Sequence, residues 1–413
     1  MDYTLPQELT DFLARLDAFI AAEIDPLQAE HEQYFDHRRE WARTDWEHDG
    51  VPRAEWLELL AEMRRRADHA GFYRYALPKA MGGSGGTNLG MAVIRDHLAA
   101  RGLGLANELQ SESAVVGNLV FPLIFDAFGT PEQKEQFVAA SITGEARFTF
   151  ALTEPAHGSD ATWMDTRAER DGDDWVITGA KRFASAIDEA THVIVFARTS
   201  GDPGSGRGVT AFVVERDAPG VDVPFYHWTF NMPTDHGELT LDRVRVPHSA
   251  ILGEEGRAFD TALYFVHENR IRQAASGVGA ADYCVRESVA YARERIAFGK
   301  PLSERQAIQW PLVELHTDVE LVRTLVRKVA HEMDDGGKVH GISDRVSMCN
   351  LRANRLVCDA ADRAMQVHGG IGYTRGKPFE HIYRHHRRYR ITEGTEEIQI
   401  RNIAGHLFGF IAR

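Results

Sequence analysis

Apolar and polar positions follow three successive patterns along the chain. In the first, Trp56, Leu57, Leu59, Leu60 and Met63 recur at helical spacing, and residues 54–68 are rich in strong helix formers. Pro52 before this run and Gly71 after it stand where start and stop signals belong. Gly82-Gly83-Ser84-Gly85-Gly86 interrupts the pattern and predicts a loop. Thr130-Pro131-Glu132-Gln133 then sets a cap residue, and a proline at the first helical position, ahead of another helix. From about residue 149 the pattern changes to short β-branched and aromatic runs: Trp175-Val176-Ile177-Thr178, Val193-Ile194-Val195-Phe196, Val209-Thr210-Ala211-Phe212-Val213-Val214 and Leu239-Thr240-Leu241. Turn signals separate them and no helical pattern intervenes, which predicts an antiparallel sheet or barrel. From about residue 258 helices return. Leu312, Leu315, Val319, Val322, Val326, Val329 and Met333 alternate steps of three and four, a seam that reads as core packing in a helical bundle.

The predicted fold class is therefore mixed α and β: an N-terminal helical domain over 1–148, a middle antiparallel β-barrel or sandwich over 149–257, and a C-terminal four-helix bundle over 258–413. At 413 residues the chain is long enough for two or three units with sizeable cores. With 43% hydrophobic and 26% charged residues it cannot be collagen-like or disordered. A formal charge of -14 argues against a nucleic-acid partner, whose footprint would be basic. Cys284, Cys349 and Cys358 are too few for a disulfide framework and suit a reducing compartment, and Cys349 and Cys358 read as buried structural thiols. The first twenty residues lack the features of a signal peptide, and no apolar run is long enough to span a bilayer. The expectation is a cytoplasmic protein without membrane insertion.

Several searches for chemistry fail. Gly277-Val278-Gly279 follows no strand, so it reads as small residues for close helix packing rather than as a dinucleotide fingerprint. There is no Walker A lysine motif, no HExxH and no G-x-S-x-G elbow. His381 and His385 share a helix spacing, but their basic neighbours would repel a cation, so no metal is expected. Two segments stand out. In Phe150-Ala151-Leu152-Thr153-Glu154-Pro155-Ala156-His157-Gly158-Ser159-Asp160, Gly158 offers a backbone conformation closed to other residues, and nearby hydroxyls and N–H groups can face a polar ligand or pyrophosphate. An ordinary turn would look the same. In Ile391-Thr392-Glu393-Gly394-Thr395-Glu396-Glu397 a carboxylate on a bend can act as a base, or the segment is a helix N-terminus with Thr395 as cap. Spacing alone leaves both open.

Together these segments resemble the acyl-CoA dehydrogenase family over nearly the whole chain. The 150–160 segment is similar to the family's T-E-P-x-x-G-S-D signature. Asp242-Arg243-Val244-Arg245-Val246-Pro247 with Leu252-Gly253-Glu254-Glu255-Gly256-Arg257-Ala258-Phe259 resembles its exit from the β domain. Glu294-Arg295-Ile296-Ala297-Phe298-Gly299-Lys300-Pro301-Leu302 resembles E-R-x-x-F-G-x-P. Gln366-Val367-His368-Gly369-Gly370-Ile371-Gly372-Tyr373 and Glu393-Gly394-Thr395 complete the set in order.

The resemblance implies an FAD-dependent enzyme that converts an acyl-CoA thioester to a trans-2-enoyl-CoA and passes electrons to an electron-transfer flavoprotein. It implies a homodimer or homotetramer, with part of each flavin site supplied by a neighbouring subunit. By the same resemblance Phe150, Leu152, Thr153, Gly158, Ser159, Phe183 and Ser185 contact the flavin and its pyrophosphate. Arg295, Phe298, Gln306, Gln366, His368, Gly369 and Gly370 complete the site across the dimer, and Thr395 and Glu397 lie near the adenine half. Glu393 matches the catalytic base, and Ser159, Arg270 and Gly394 match positions at the substrate. A carboxylate is a weak base in water and gains strength in an apolar, substrate-filled cleft. Some members place the base at the position of Asn269, where asparagine cannot serve; Glu268 beside it points about 100° away on a helix. Three departures favour a non-standard substrate: Phe183-Ala184-Ser185 replaces the family's W-I-T, His385 replaces an aspartate, and Ala297 replaces a threonine. The alternatives carried forward are a flavin oxidase or monooxygenase on this fold, and a silent acyl-CoA-binding flavoprotein.

Overall fold

The computed structural model describes residues 4–109, 113–335 and 339–410. They form two compact units, one of Met1–Arg43, Ala54–Asn118 and His267–Arg413, the other of Thr44–Arg53 and Leu119–Val266. In chain order the helices are α1 Gln7–Phe19, α2 Asp25–Glu30, α3 Arg39–Arg43, α4 Ala54–His69, α5 Asn88–Ala99, α6 Val120–Phe128 and α7 Pro131–Thr143. The strands β1 Phe148–Ala151, β2 Arg167–Asp171, β3 Asp174–Ser185, β4 His192–Arg198, β5 Val209–Glu215, β6 Val221–Asp222, β7 His236–Pro247 and β8 Ile251–Leu252 follow. Then come α8 Ala258–Glu294, the short pair β9 Ile296–Ala297 and β10 Lys300–Pro301, and α9 Gln306–Asp334, α10 Ser343–His368, α11 Phe379–Arg387 and α12 Glu396–Leu407.

In the helical unit the predicted seam is the core-facing side of α9: Val319, Val322, Val326 and Val329 are buried, with Leu315 and Met333 packed at its margin. They meet the small and branched residues of α8 and α10, among them Ala274, Val278, Ala353 and Val357. A second core joins Trp56, Leu59, Leu60 and Met63 of α4 to Leu9, Phe12 and Leu16 of α1. Gly277 and Gly279 serve the close packing expected of them. A Cβ at Gly279 would stand 2.1 Å from the carbonyl oxygen of Asp96 on α5, and one at Gly277 would stand 3.4 Å from that of Ala353 on α10. Cys284, Cys349 and Cys358 are buried, unpaired thiols.

The other unit carries an eight-stranded sheet in the order β6-β7-β3-β2-β4-β5-β8, with β1 also on β4. The expected short runs lie inside longer strands, since β3 and β7 pair along nearly their whole lengths. One expectation is decided and one corrected here. The sheet is open, with β6 and β8 at its ends, so of barrel and sandwich it takes the sandwich-like form. It is not wholly antiparallel: β1 runs parallel to the first half of β4, and β2 takes over in parallel at Arg198. Short apolar runs carry no record of which distant strand each will join, or in which direction. Thr130 caps α7, as the sequence predicts, and Gln133 returns the hydrogen bond to complete a reciprocal capping box.

One buried ion pair ties the signature segment to this sheet. Lys181 of β3 donates to Glu154 Oε1 at 2.8 Å and to the Leu152 carbonyl at 3.2 Å. Glu154 also accepts from the main-chain N–H groups of Asp165 and Thr166, at 2.5 and 2.9 Å. Burial alone would raise the Glu154 carboxyl; the Lys181 ammonium and the N–H donors outweigh it and hold the group below the ordinary glutamate range.

Three stability predictions follow from this packing. Gly279→Ala gains about 1 kcal/mol of helix propensity but forces a methyl onto the Asp96 carbonyl, an overpacking cost of about 1–3 kcal/mol. Urea denaturation should therefore show net destabilisation. Because the folded-state pKa of Glu154 is depressed, its contribution is complete above the unfolded value of about 4.3. It is lost as pH falls through the folded value. Thermal melts between pH 6 and pH 3 should fall more steeply for the wild type than for Glu154→Gln, and equal slopes would refute the coupling. Lys181→Met, which strands the carboxylate, should cost about 3–5 kcal/mol at neutral pH.

Candidate active site

The signature segment leaves β1 at Ala151, and its first residues are locked from below. The Thr153 carbonyl accepts from Arg182 N–H at 3.0 Å, and Glu154 and His157 exchange main-chain hydrogen bonds. His157 Nδ1 lies 3.0 Å from Asp160 Oδ2. Leu152 and Thr153 are half-buried, while Gly158 and Ser159 are exposed. Phe150 stacks on Phe265, ring centres 4.5 Å apart and nearly parallel. The expectation for Gly158 is corrected: it does not adopt a positive φ, and a Cβ there would meet no atom within 4 Å. What the glycine leaves is open space beside the main chain, not an unusual backbone.

On β3 the register shifts between Lys181 and Ala184, and Phe183 takes a φ of +57°. A non-glycine residue in the left-handed region is costly and tends to persist at functional sites. The irregularity turns the Phe183 ring outward, 48% exposed, with His227 beneath it at 4.9 Å. Ser185 is also exposed, and its hydroxyl lies 3.5 Å from His236 Nε2. Phe183 and Ser185 therefore flank a buried Ala184 on one strand edge.

In the helical unit Glu393 and Gly394 form the bend before α12, with φ of +57° and +92°. Three side chains hold it. Arg270 of α8 donates from Nε and Nη2 to the Glu393 carbonyl, at 2.9 and 2.5 Å. Gln399 Nε2 donates to the carbonyls of Glu393 and Gly394, at 3.1 and 2.8 Å. Asn269 Nδ2 lies 3.4 Å from Glu393 Oε1, so the neighbouring α8 position faces the carboxylate itself. Burial pulls the Arg270 guanidinium down to about 10, with Glu393 opposing, which leaves it charged at neutral pH. Glu268 is directed elsewhere, its carboxylate 3.5 Å from Arg272 Nη2. Thr395 occupies the N-cap position of α12, but its hydroxyl makes no capping hydrogen bond. Glu396, not Glu397, is tied down, by Arg355 and Arg390, and Glu397 is exposed.

Of the remaining positions in this unit, Arg295, Gln306, Gln366, Gly369 and Gly370 are exposed, and Phe298 is 98% exposed with φ +52°. His368 is buried. It stacks on Tyr291 and hydrogen-bonds the Ala364 carbonyl at 2.8 Å; burial lowers its pKa. A Cβ at Gly369 or Gly370 would meet no atom within 4 Å. Sequence reasoning passed over the roles of Lys181 and Gln399. Glu154 lies within the quoted signature, but nothing in the spacing marks Lys181 as its partner or Gln399 as the prop of the bend.

In the sheet unit, open space at Gly158, the outward Phe183 ring on a strained strand and the exposed Ser159 and Ser185 hydroxyls fit a large, polar, partly aromatic cofactor such as FAD; in the helical unit, open space at Gly369 and Gly370 and the exposed Gln306 and Gln366 amides fit a group of the same kind. Among the described residues no group of three His, Cys, Asp or Glu could hold a metal ion. None of the described helices is long and apolar enough to cross a membrane.

Comparison with known proteins agrees with this geometry. Residues 6–145, 149–244 and 256–408 match the N-terminal, middle and C-terminal domains of acyl-CoA dehydrogenase. A probable acyl-CoA dehydrogenase of Mycobacterium tuberculosis is 31% identical over 98% of this chain and 96% of its own. A subunit of the caffeyl-CoA reductase-Etf complex of Acetobacterium woodii is 32% identical over 85% of this chain and 89% of its own. The structure of a glutaryl-CoA dehydrogenase from Mycobacterium smegmatis in complex with FADH2 superposes with a TM-score of 0.79 at 25% identity, covering 99% of this chain and 96% of that one. The chain thus belongs to the acyl-CoA dehydrogenase family, FAD-dependent oxidoreductases acting on the CH–CH bond of acyl-CoA thioesters.

Proposed function

We propose that this protein oxidises an acyl-CoA to its trans-2-enoyl-CoA with Glu393 as the base for the α proton. The observation that carries the reading is the Glu393 bend, a carboxylate on a left-handed residue whose carbonyl is clamped by Arg270 and whose Oε1 is met by Asn269. Left-handed geometry at a non-glycine residue costs about 1–3 kcal/mol and needs surrounding structure to maintain it. Here Arg270 and Gln399 provide that structure. The main-chain N–H of Gly394, next to the base, is the donor suited to the thioester oxygen as enolate charge develops.

FAD, when bound, supplies the acceptor for the β hydride. Phe150, Leu152, Thr153, Gly158, Ser159, Phe183 and Ser185 would hold it from the sheet unit. Arg295, Phe298, Gln306, Gln366, His368, Gly369, Gly370, Thr395 and Glu397 would hold it from the helical unit, some of them reaching a neighbouring subunit. A homodimer or homotetramer suits Phe298 and Trp310, large side chains 98% and 64% exposed that a second copy would cover. Ser159 and Arg270 complete the substrate contacts, Arg270 through the bend it holds. Transfer of electrons to an electron-transfer flavoprotein is supported by the Etf-complex relative. Three buried, unpaired thiols suit the cytoplasm.

Anaerobic titration of the flavin-loaded protein with acyl-CoA thioesters tests the assignment. Glu393→Gln should keep its flavin absorbance and lose bleaching by at least about 10²-fold; turnover at the wild-type rate would remove Glu393 from the role. Arg270→Gln should keep flavin and lower kcat at least about tenfold by loosening the bend. A rise in KM alone would mean that Arg270 only binds substrate. Peroxide formed at the rate of dye reduction would identify an oxidase, and thioesters that bind without bleaching would identify a silent flavoprotein.

A further inference from the structure

Ser185 ends β3 between two residues with left-handed backbone, Phe183 at φ +57° and Ala186 at φ +58°. Residues other than glycine avoid this region, so the surrounding structure has to hold both. Part of that hold falls on Ser185 itself: the buried Thr149 of β1 donates its hydroxyl to the Ser185 carbonyl at 2.6 Å. Opposite Ser185 in the β3–β7 register stands His236. Its N–H donates to Thr234 Oγ1 at 3.3 Å, and its carbonyl accepts from the His227 N–H at 2.9 Å. With both main chains fixed, Ser185 Oγ lies 3.5 Å from His236 Nε2. The other ring nitrogen, Nδ1, is in hydrogen-bond contact with Asp235 Oδ1. The His236 and Asp235 side chains are largely buried, whereas Ser185 opens to the surface. Glu238, two positions along β7, is engaged by His227 Nε2 at 3.0 Å and pairs with Arg182 at 3.5 Å.

The order carboxylate, imidazole, hydroxyl fixes where each hydrogen goes. A carboxylate has none to give, so Asp235 takes the hydrogen on Nδ1 and leaves Nε2 of the neutral ring as an acceptor. Ser185 then turns its hydroxyl hydrogen toward Nε2. The Phe183 carbonyl, 3.4 Å from the same hydroxyl, is also an acceptor. Neither neighbour gives Ser185 Oγ a hydrogen, and its lone pairs remain for a ligand outside. A hydroxyl held in this way accepts from an N–H and has nothing to offer a bare ring nitrogen. Hydride brings one proton and two electrons from the substrate β carbon and turns an acceptor nitrogen of a flavin into an N–H donor; the α proton goes separately to Glu393. Polar contacts at reacting centres are often long until the ligand is in place, and the 3.5 Å separation is of that kind.

We propose that His236, held by Asp235, is a positioning residue that makes Ser185 a hydrogen-bond acceptor toward the flavin, and so favours the reduced cofactor over the oxidised one. The inference rests on the reading of Ser185 as a flavin contact and names what sets the redox balance of that site. His236 and Asp235 act through Ser185 and need not touch the cofactor themselves.

The test measures the affinity of the protein for oxidised and for reduced FAD under anaerobic conditions, together with the two-electron reduction potential of the flavin-loaded protein. His236→Leu should lower the preference for the reduced form by about threefold to tenfold, read as a potential about 30 mV lower for the full tenfold. Ser185→Ala should lower it in the same way. Asp235→Asn keeps the imidazole but no longer demands the Nδ1 hydrogen, and should shift the preference in the same direction. His236→Gln, which retains an acceptor oxygen, should recover part of it. In a Ser185→Ala background His236→Leu should change the preference by less than about twofold, a dependence that a merely structural histidine lacks. If Ser185→Ala moves the preference while His236→Leu and Asp235→Asn do not, the inference is overturned and Ser185 stands as a flavin contact. An equal effect of His236→Leu with and without the Ser185 hydroxyl overturns it too. If Ser185→Ala leaves both affinities unchanged, the reading of Ser185 as a flavin contact fails and this inference fails with it.

Discussion

Arg270, buried and still charged, is the constraint on which the candidate site depends. A guanidinium removed from water must be met by strong acceptors, and here the acceptor is a main-chain carbonyl rather than a carboxylate. That choice fixes, through the main chain, the bend that carries the Glu393 carboxylate. Gln399 shares the task from α12, so the bend is tied to two helices.

The signature segment is built on a similar principle. Its conspicuous residues, Gly158 and Ser159, are exposed and lightly held. The buried Glu154–Lys181 pair beneath them fixes where the loop begins, and it binds the loop to β3, the strand that carries Phe183 and Ser185. One ion pair thus connects two sets of candidate cofactor-binding residues that lie about thirty positions apart in sequence. Breaking such a pair is costly because it strands a charge, even where forming it adds little.

The departure at His385 also finds a place. In a run as basic as 384–390 a histidine looks like one more surface charge, yet α11 buries His381, His385 and His386, and burial drives their pKa values down. His385 presents a neutral polar edge to a cavity shared with Arg95 and Arg272. A position that differs from the family's aspartate therefore borders a small internal polar cavity.

The chain's own pattern determined much. The α9 seam, the α4 helix, the Thr130 cap and the buried Cys349 and Cys358 all follow from local periodicity and residue chemistry, which depend on near neighbours in sequence. The ordered motifs were equally legible, because glycines, acids and their spacings survive as strings. Tertiary structure alone decided the rest. It set β1 and β2 parallel to β4, left the sheet open, gave Gly158 ordinary backbone with free space, and brought Arg270, Asn269 and Gln399 to one bend. It also gathered Arg95, Asn118, Arg272 and His385 around one cavity from four separate stretches of chain. Hydrogen bonds and charge pairs act through a few ångströms of space, and sequence separation holds no record of which residues folding will bring within that range.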